Sequence, residues 1–153
     1  SSLVIRGYES ALAAVTVLTA YIPMLTDAGG NAGSQSTSTI IRSMAVGDIT
    51  PHDLPRIIWR ECRVALMCGV TLAVCNFFKM LLLDRIAAPV ALVVCVTLIF
   101  TVLLSQLIGV LLPVIAEKFK IDPAVMASPQ ITTIVDTTTL LIYFNVAKMV
   151  LHI

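Results

Sequence analysis

Long apolar stretches run through most of the chain, and polar residues do not alternate with apolar ones inside them. A transmembrane helix needs about 20 predominantly apolar residues, and unbroken runs favour helices over the alternating strands of a membrane barrel. The pattern predicts an all-α fold: a polytopic helix bundle in the cell membrane. Its four spans are expected at about Ser10–Asp27, Val64–Leu83, Pro89–Ile115 and Pro129–Leu151.

The connections between these spans differ in character. Residues 28–49 are rich in glycine and hydroxyl side chains, and the part from about Ala32 to Ala45 is compatible with a helix that has a hydroxyl-rich face. The segment Pro51–Arg63 predicts an amphipathic helix on the membrane surface, with Trp59 on its membrane side. Lysine and arginine are commonest before the second span and between the last two, so both connections are expected in the cytoplasm.

Composition supports a membrane protein and excludes several other classes. Of the 153 residues, 58% are hydrophobic and 12% are charged, whereas soluble domains carry about 25% charged residues. The net charge of +1, without any basic arm, indicates no nucleic-acid partner. The four cysteines form no CxxC pair and only two histidines are present, so no soft-metal site is predicted.

Asp136 is the most informative single residue because it lies inside the last apolar span. A carboxylate at the bilayer centre costs roughly 2.5–3.5 kcal/mol on insertion scales, so an ionisable group at that depth indicates a functional site. Thr132 lies one helical turn away, and further threonines surround the aspartate. We interpret this face as part of a cation path. The alternatives are a structural carboxylate bonded to hydroxyls, or one paired with Lys148.

The segment Pro23–Gln35, which contains three glycines, is the second informative feature. Proline removes a helix hydrogen bond and glycine permits irregular backbone. At membrane depth such backbone survives against protein or a water-filled cavity, where unwound carbonyls coordinate ions. We therefore expect a broken helix with carbonyls around Ala28–Asn31 on the path, the alternative being an ordinary helix end. Asp27 is a second acidic candidate beside the glycines.

Oxygen donors of this kind point to a hard divalent cation. Mg²⁺ keeps several waters and usually takes one or two carboxylates. Asp136 alone is sparse for such an ion, so a two-fold dimer with its axis on the pore is expected. Two other classes stay open from the residues alone: an intramembrane enzyme with Asp136 and Asp27 as an acid–base pair, and a scaffold subunit whose polar residues only join helices.

Several strings occur together in an order that carries a family resemblance. The first is Pro23–Gln35 followed by Ile40-Ile41-Arg42; the later ones are Leu111-Leu112-Pro113, Asp122-Pro123-Ala124, Ser128-Pro129, Asp136 and Leu140-Leu141-Ile142-Tyr143. In combination they resemble the membrane domain of the MgtE family of magnesium transporters. The resemblance takes residues 1–153 as one transmembrane pore domain, matching family helices two to five with Leu3–Gly7 as the tail of the first. These residues hold no counterpart of the family's cytoplasmic sensor and CBS domains.

The resemblance implies a homodimeric transporter, not an enzyme, that conducts Mg²⁺ in a lipid bilayer through a pore on the dimer axis. The family's pore aspartate falls on Asp136, with earlier pore positions on Thr132 and Ser128. The family's asparagine is absent at Ser128, so another divalent ion such as Mn²⁺ is the alternative cargo. The residues expected to bind the metal are Asp136, Thr132, Ser128, Ala28 and Asn31, and those expected to line the pore are Asp27, Gly29, Gly30, Gly33, Gln35, Thr133 and Thr139.

Overall fold

The protein folds as a bundle of four long helices. The computed structural model describes the backbone of residues 2–126 and 129–151, and the side chains of residues 16–125 and 130–151. Within the described backbone all regular structure is helical, which confirms the predicted all-α class. Single 3₁₀ turns precede the second and fourth helices. The long helices are α1 (Ser2–Ala45), α2 (Leu54–Leu82), α3 (Ala88–Lys118) and α4 (Pro129–Leu151).

The most apolar helix, α3, forms the centre of the bundle and packs against the other three. Its core residues Val93, Val94 and Val102 are at most 1% exposed. Helices α1 and α4 also pack against each other, and the buried Tyr143 hydroxyl of α4 donates to the Leu18 carbonyl of α1 at 2.8 Å. Helix α2 packs mainly on α3. The arrangement leaves α1 and α4 side by side along one surface of the bundle.

Three helices in the described part of the chain are long and apolar enough to cross a membrane. Their outward faces carry large apolar side chains, such as Met67 and Leu82, which are 71% and 72% exposed. A soluble monomer rarely exposes a contiguous apolar surface of this extent, so lipid is its natural surrounding. The first predicted span, Ser10–Asp27, rests partly on residues 10–15, whose side chains lie outside the described residues. The three spans are Pro51–Leu82, Ala88–Lys118 and Gln130–Leu151.

The structure corrects the broken helix predicted near Pro23. Helix α1 continues through the proline and the following glycines to Ala45. The proline ring suits helical φ and removes only one backbone hydrogen bond. The Thr26 hydroxyl donates to the carbonyls of Ile22 and Pro23, each at 3.1 Å, within the same turn. The carbonyls of Ala28–Asn31 therefore belong to a regular helix and not to an unwound segment.

The structure also corrects the separate surface helix predicted over Pro51–Arg63. These residues continue without a break into the second span, as one helix from Leu54 to Leu82. Its one proline, Pro55, lies in the first turn, where proline is tolerated, and residues 56–68 contain neither proline nor glycine. Nothing in the local sequence therefore ends the helix at the membrane surface.

A polar cluster ties α1 to the connection between α2 and α3. The Tyr21 hydroxyl donates to the Asp84 carboxylate at 2.7 Å, and the Lys79 ammonium lies 2.9 Å from the same oxygen. These two hydrogen bonds, the tyrosine's being the stronger influence, hold the pKa of Asp84 below its usual range. The cluster stabilises the end of the bundle at which α2 ends and α3 begins, where it contacts the middle of α1.

Candidate cation site

An open polar groove runs along the contact between α1 and α4. Its volume is about 370 Å³. Both aspartates singled out in the sequence, Asp27 and Asp136, line it. The structure therefore brings together a carboxylate from α1 and a carboxylate from α4, across a sequence separation that no local pattern spans. The other lining residues are Pro23, Thr26, Gly30, Asn31, Ser34 and Thr132.

Helical periodicity explains why these residues share one groove. Residues three and four apart on a helix lie on the same face. On α1, Asp27, Asn31 and Ser34 follow this spacing, and on α4 Thr132 and Asp136 are four apart. The continuity of α1 from Asp27 through the glycines to Ser34 is thus what assembles the polar face, because an unwound segment there would turn these side chains in different directions.

The polar surface of α1 continues beyond the aspartates. A second open groove of about 460 Å³ shares Asn31 and Ser34 with the first and adds Gln35, Ser38 and Thr39. From Pro23 to Thr39, at about 1.5 Å of rise per residue, the polar face extends about 24 Å along the helix axis. That is most of the roughly 30 Å hydrocarbon thickness of a bilayer. A hydrophilic track therefore runs along one face of α1 for a length close to, but shorter than, the hydrocarbon thickness.

The side chains of the groove supply oxygen atoms of the kind that bind hard cations. Asp136 is half-buried and makes no hydrogen bond or ion pair with the described side chains. The exposed Asp27 accepts a hydrogen bond from the Asn31 amide at 3.3 Å. No group of three histidine, cysteine or acidic residues able to hold a metal occurs among the described residues. The groove thus presents two carboxylates and several neutral oxygens, which suits a cation that retains part of its water shell.

The opposite face of α1 is closely packed, and two predicted pore residues lie there. A Cβ atom at Gly29 would lie 2.6 Å from the Thr101 Cγ2 methyl and 2.7 Å from Val135 Cγ1. At Gly33 it would lie 2.9 Å from Ile131 Cγ2. These glycines let α3 and α4 approach the backbone of α1, and both are buried. They stand behind the groove and do not line it, whereas Gly30, next to Gly29, does.

The remaining predicted site residues are distributed around the groove. Gln35 lines its continuation, and Thr133 is exposed on α4. Thr139 is 2% exposed and lies on the buried face of α4, four residues from Val135 and from Tyr143. Ala28 lines a different, mostly apolar cleft next to α2, so the structure does not bring it to the aspartates. Ser128 lies outside the described residues.

Sequence reasoning missed four polar residues of the two grooves. Thr26, Ser34, Ser38 and Thr39 were not predicted to line the path. The signal was present, because Ser34 and Ser38 continue the helical spacing set by Asp27 and Asn31. Assuming an interrupted helix hid that periodicity.

The fold and the groove define a polytopic membrane protein with a polar groove between two of its helices. The sequence profile of a family described as MgtE, divalent cation transporter, matches residues 22–146 of the chain. This match includes the polar face of α1 and the α4 segment that carries Asp136. The chain belongs to the MgtE family. The family is one of transporters, which separates this chain from the intramembrane enzymes considered above.

Curated relatives are similar over almost the whole chain. A magnesium transporter MgtE from Thermus thermophilus is 37% identical over 156 residues, covering 99% of this chain. A magnesium transporter MgtE from Bacillus subtilis is 32% identical over 99% of the chain, and one from Enterococcus faecalis is 33% identical over 95%. The chain spans about a third of the length of these relatives: 33%, 34% and 32%, respectively.

Proposed function

We propose that this chain forms the ion-conducting membrane domain of a magnesium transporter and passes hydrated Mg²⁺ along the polar face of α1, past Asp136. The observation that carries the proposal is the juxtaposition of Asp27 and Asp136 in one groove on a membrane helix bundle. An ionised carboxylate in lipid is costly, and a groove that admits water and a cation removes that cost.

The choice of Mg²⁺ rests on ligand chemistry and on the relatives. The groove's side chains supply carboxylate, amide and hydroxyl oxygens, and no cysteine or histidine is among the described residues that line it. Hard oxygen ligands suit Mg²⁺, which gives up its waters reluctantly. The relatives from Thermus thermophilus and Bacillus subtilis are both named magnesium transporters. Mn²⁺ also prefers oxygen ligands and is the rival cargo.

A second copy of the chain would complete the path. The groove is open on one side, and a polar surface open to lipid would leave Asp27, Asn31 and Asp136 facing hydrocarbon. Two-fold packing of groove against groove would close it and bring together two copies of Asp136, enough carboxylates for a hydrated divalent ion. We therefore propose a homodimer with the ion path on its symmetry axis.

The first experiment tests Asp136 directly. In proteoliposomes loaded with a Mg²⁺-sensitive dye, Asp136→Asn keeps the side-chain shape but removes the charge. Because a carboxylate–divalent attraction at partial burial amounts to several kcal/mol, we expect uptake to fall by more than about tenfold. Repeating the assay with Mn²⁺ identifies the preferred cargo.

The matched control is Thr137→Val, the neighbouring position on α4. The Thr137 hydroxyl bonds to the Thr133 carbonyl at 2.9 Å within the helix, and Thr137 does not line the groove. Uptake by this variant should stay near the wild-type rate. Unchanged uptake by Asp136→Asn, with the protein correctly folded, would refute the site.

The dimer is tested by cross-linking through introduced cysteines. The exposed native Cys68 and Cys75 are first replaced by serine. Ser38→Cys, in the groove, should then form a disulfide-linked dimer in membranes, whereas Leu66→Cys on the outer face of α2 should not. Equal cross-linking at both positions, or at neither, would contradict groove-to-groove packing.

A further inference from the structure

A basic pocket lies at the junction of α1 and α2, separate from the polar groove. Its volume is about 560 Å³, and it shares no residue with the grooves that hold Asp27, Asn31 and Asp136. Three arginines line it, together with the single tryptophan of the chain. The full lining is Ser43, Asp48, Ile49, Asp53, Arg56, Ile57, Trp59, Arg60 and Arg63.

The arginines are arranged by the helix to point into the same pocket. Arg56, Arg60 and Arg63 are four and then three residues apart, so they lie on one face of α2. A guanidinium offers a planar set of donors that binds phosphate oxygens in pairs. Three of them around one pocket form an anion site by charge and by geometry.

Two of these three charges are available to a ligand. The Arg60 guanidinium forms a salt bridge with the Glu61 carboxylate, at 3.1 Å. Among the side chains described, Arg56 and Arg63 form no salt bridge, and Arg63 is exposed. The Asp53 carboxylate in the lining accepts hydrogen bonds from the Thr50 amide and hydroxyl, at 2.9 Å and 3.0 Å. These bonds leave its charge in place, so Asp53 and Asp48 both oppose the arginines, and three arginines against two carboxylates leave the lining with an excess of one positive charge.

The pocket lies at the depth where a lipid phosphate would be. The 29 residues of α2 extend about 44 Å, longer than the roughly 30 Å hydrocarbon core. The apolar part from Val64 to Leu82 accounts for about 28 Å, which leaves the arginine-bearing first turns outside the core. Trp59, 66% exposed, marks this boundary as interfacial tryptophans do.

The surface next to the pocket suits acyl chains. Directly after Arg63, Leu66 and Met67 are 50% and 71% exposed, and the exposed apolar face continues along α2. A soluble phosphate would gain nothing from that face, whereas a phospholipid would bury its chains on it. We propose that this pocket binds the phosphate of an anionic phospholipid, with Arg56 and Arg63 contacting the headgroup and the acyl chains lying along α2.

The chain carries its own reporter for this site, because Trp59 is its only tryptophan. The protein is reconstituted in phosphatidylcholine vesicles containing a fixed fraction of brominated phosphatidylglycerol or, in parallel, of brominated phosphatidylcholine. Bromine quenches tryptophan fluorescence on contact. We expect the anionic lipid to quench Trp59 more strongly, and the preference to fall by about fivefold for each arginine removed in Arg56→Gln/Arg63→Gln.

The control removes the same charge elsewhere. Lys118 and Lys120, at the end of α3 on the same side of the bundle, do not line the pocket. Lys118→Gln/Lys120→Gln should keep the lipid preference. An equal loss in both double variants would mean that surface charge alone attracts the lipid and would overturn the proposal. So would equal quenching by the two lipids in the wild type.

A competition arm separates a lipid from a free anion. Glycerol phosphate, added at millimolar concentration and at constant ionic strength, has the same phosphate but no acyl chains. We expect it to leave the quenching unchanged. Relief of the quenching would show that the pocket takes a soluble phosphate and would overturn the lipid assignment.

Discussion

The two faces of α1 use the same short stretch of sequence in opposite ways. On one face, Gly29 and Gly33 are buried and bring the backbone of α1 against α3 and α4. On the other, Asp27 and Asn31 are exposed and line an open groove. The first face has no room for another atom, and the second has room for water. Close packing on one side of the helix thus fixes the position of the polar groups on the other.

This difference explains why glycine and polar residues are interleaved here. A face made of polar residues alone could not pack in a membrane bundle, where small residues allow close helix contact. A face made of glycine alone would have no side-chain oxygen atoms to bind a cation. With 3.6 residues per turn, the polar Asp27 and Asn31 fall on one face of the helix and Gly29 and Gly33 on the other, because each pair is four residues apart.

The largest effect should come from filling the packed face. Gly29→Ala adds a methyl that meets the stiff side chains of Thr101 and Val135, so we expect a loss of about 1–3 kcal/mol in stability despite alanine's better helix propensity. Thermal unfolding in detergent measures it.

The neighbouring glycine is the matched control for this change. A Cβ at Gly30 would meet only Thr132 Cγ2, at 3.9 Å, an ordinary contact. Gly30→Ala should therefore be neutral or stabilising by up to about 1 kcal/mol. If both variants unfold at the same temperature, the two faces do not differ in packing.

A smaller effect is expected from buried hydroxyls on the packed side. The Thr37 hydroxyl donates to the Gly109 carbonyl at 2.9 Å, across the α1–α3 contact. Thr37→Val keeps the volume and removes this bond, which should cost about 0.5–1.5 kcal/mol. On the open side, Ser38 bonds only within its own helix, to the Ser34 carbonyl, and Ser38→Ala should change stability by less than about 0.5 kcal/mol. Reversed magnitudes in the unfolding assay would contradict the assignment of the two faces.

The smallest effect on stability and a clear one on transport are expected at Asn31. Its amide contacts Asp27 at 3.3 Å in the open groove. Asn31→Ala should leave the unfolding temperature within error, since the side chain is exposed. We expect Mg²⁺ uptake to fall by a few-fold, because one oxygen donor and the orientation of Asp27 are lost. A destabilised variant with normal uptake would place Asn31 on the packing side of the comparison.

Much of the architecture could be predicted from the chain alone. The third and fourth spans were predicted within a few residues at both ends, because apolar length is a local property that a bilayer requires directly. The second was predicted well only at its end, since its helix begins at Leu54 and not at the predicted Val64. Asp136 was singled out by the energetic cost of its position, and the structure places it in a groove with Asp27. The same reasoning failed at Pro23, where a local rule about proline predicted an interruption that the continuous α1 does not contain.

The sequence by itself determined that the chain is helical, that it belongs in a membrane, and that a carboxylate lies within an apolar span, since hydropathy and charge are properties of the local sequence. Only the tertiary structure decided which polar residues meet. Whether Gly29 is packing surface or Gly30 is groove lining depends on where α3 and α4 lie around α1. Neighbouring residues on a helix face different directions, and the choice between a packed and an open side is made by the other helices.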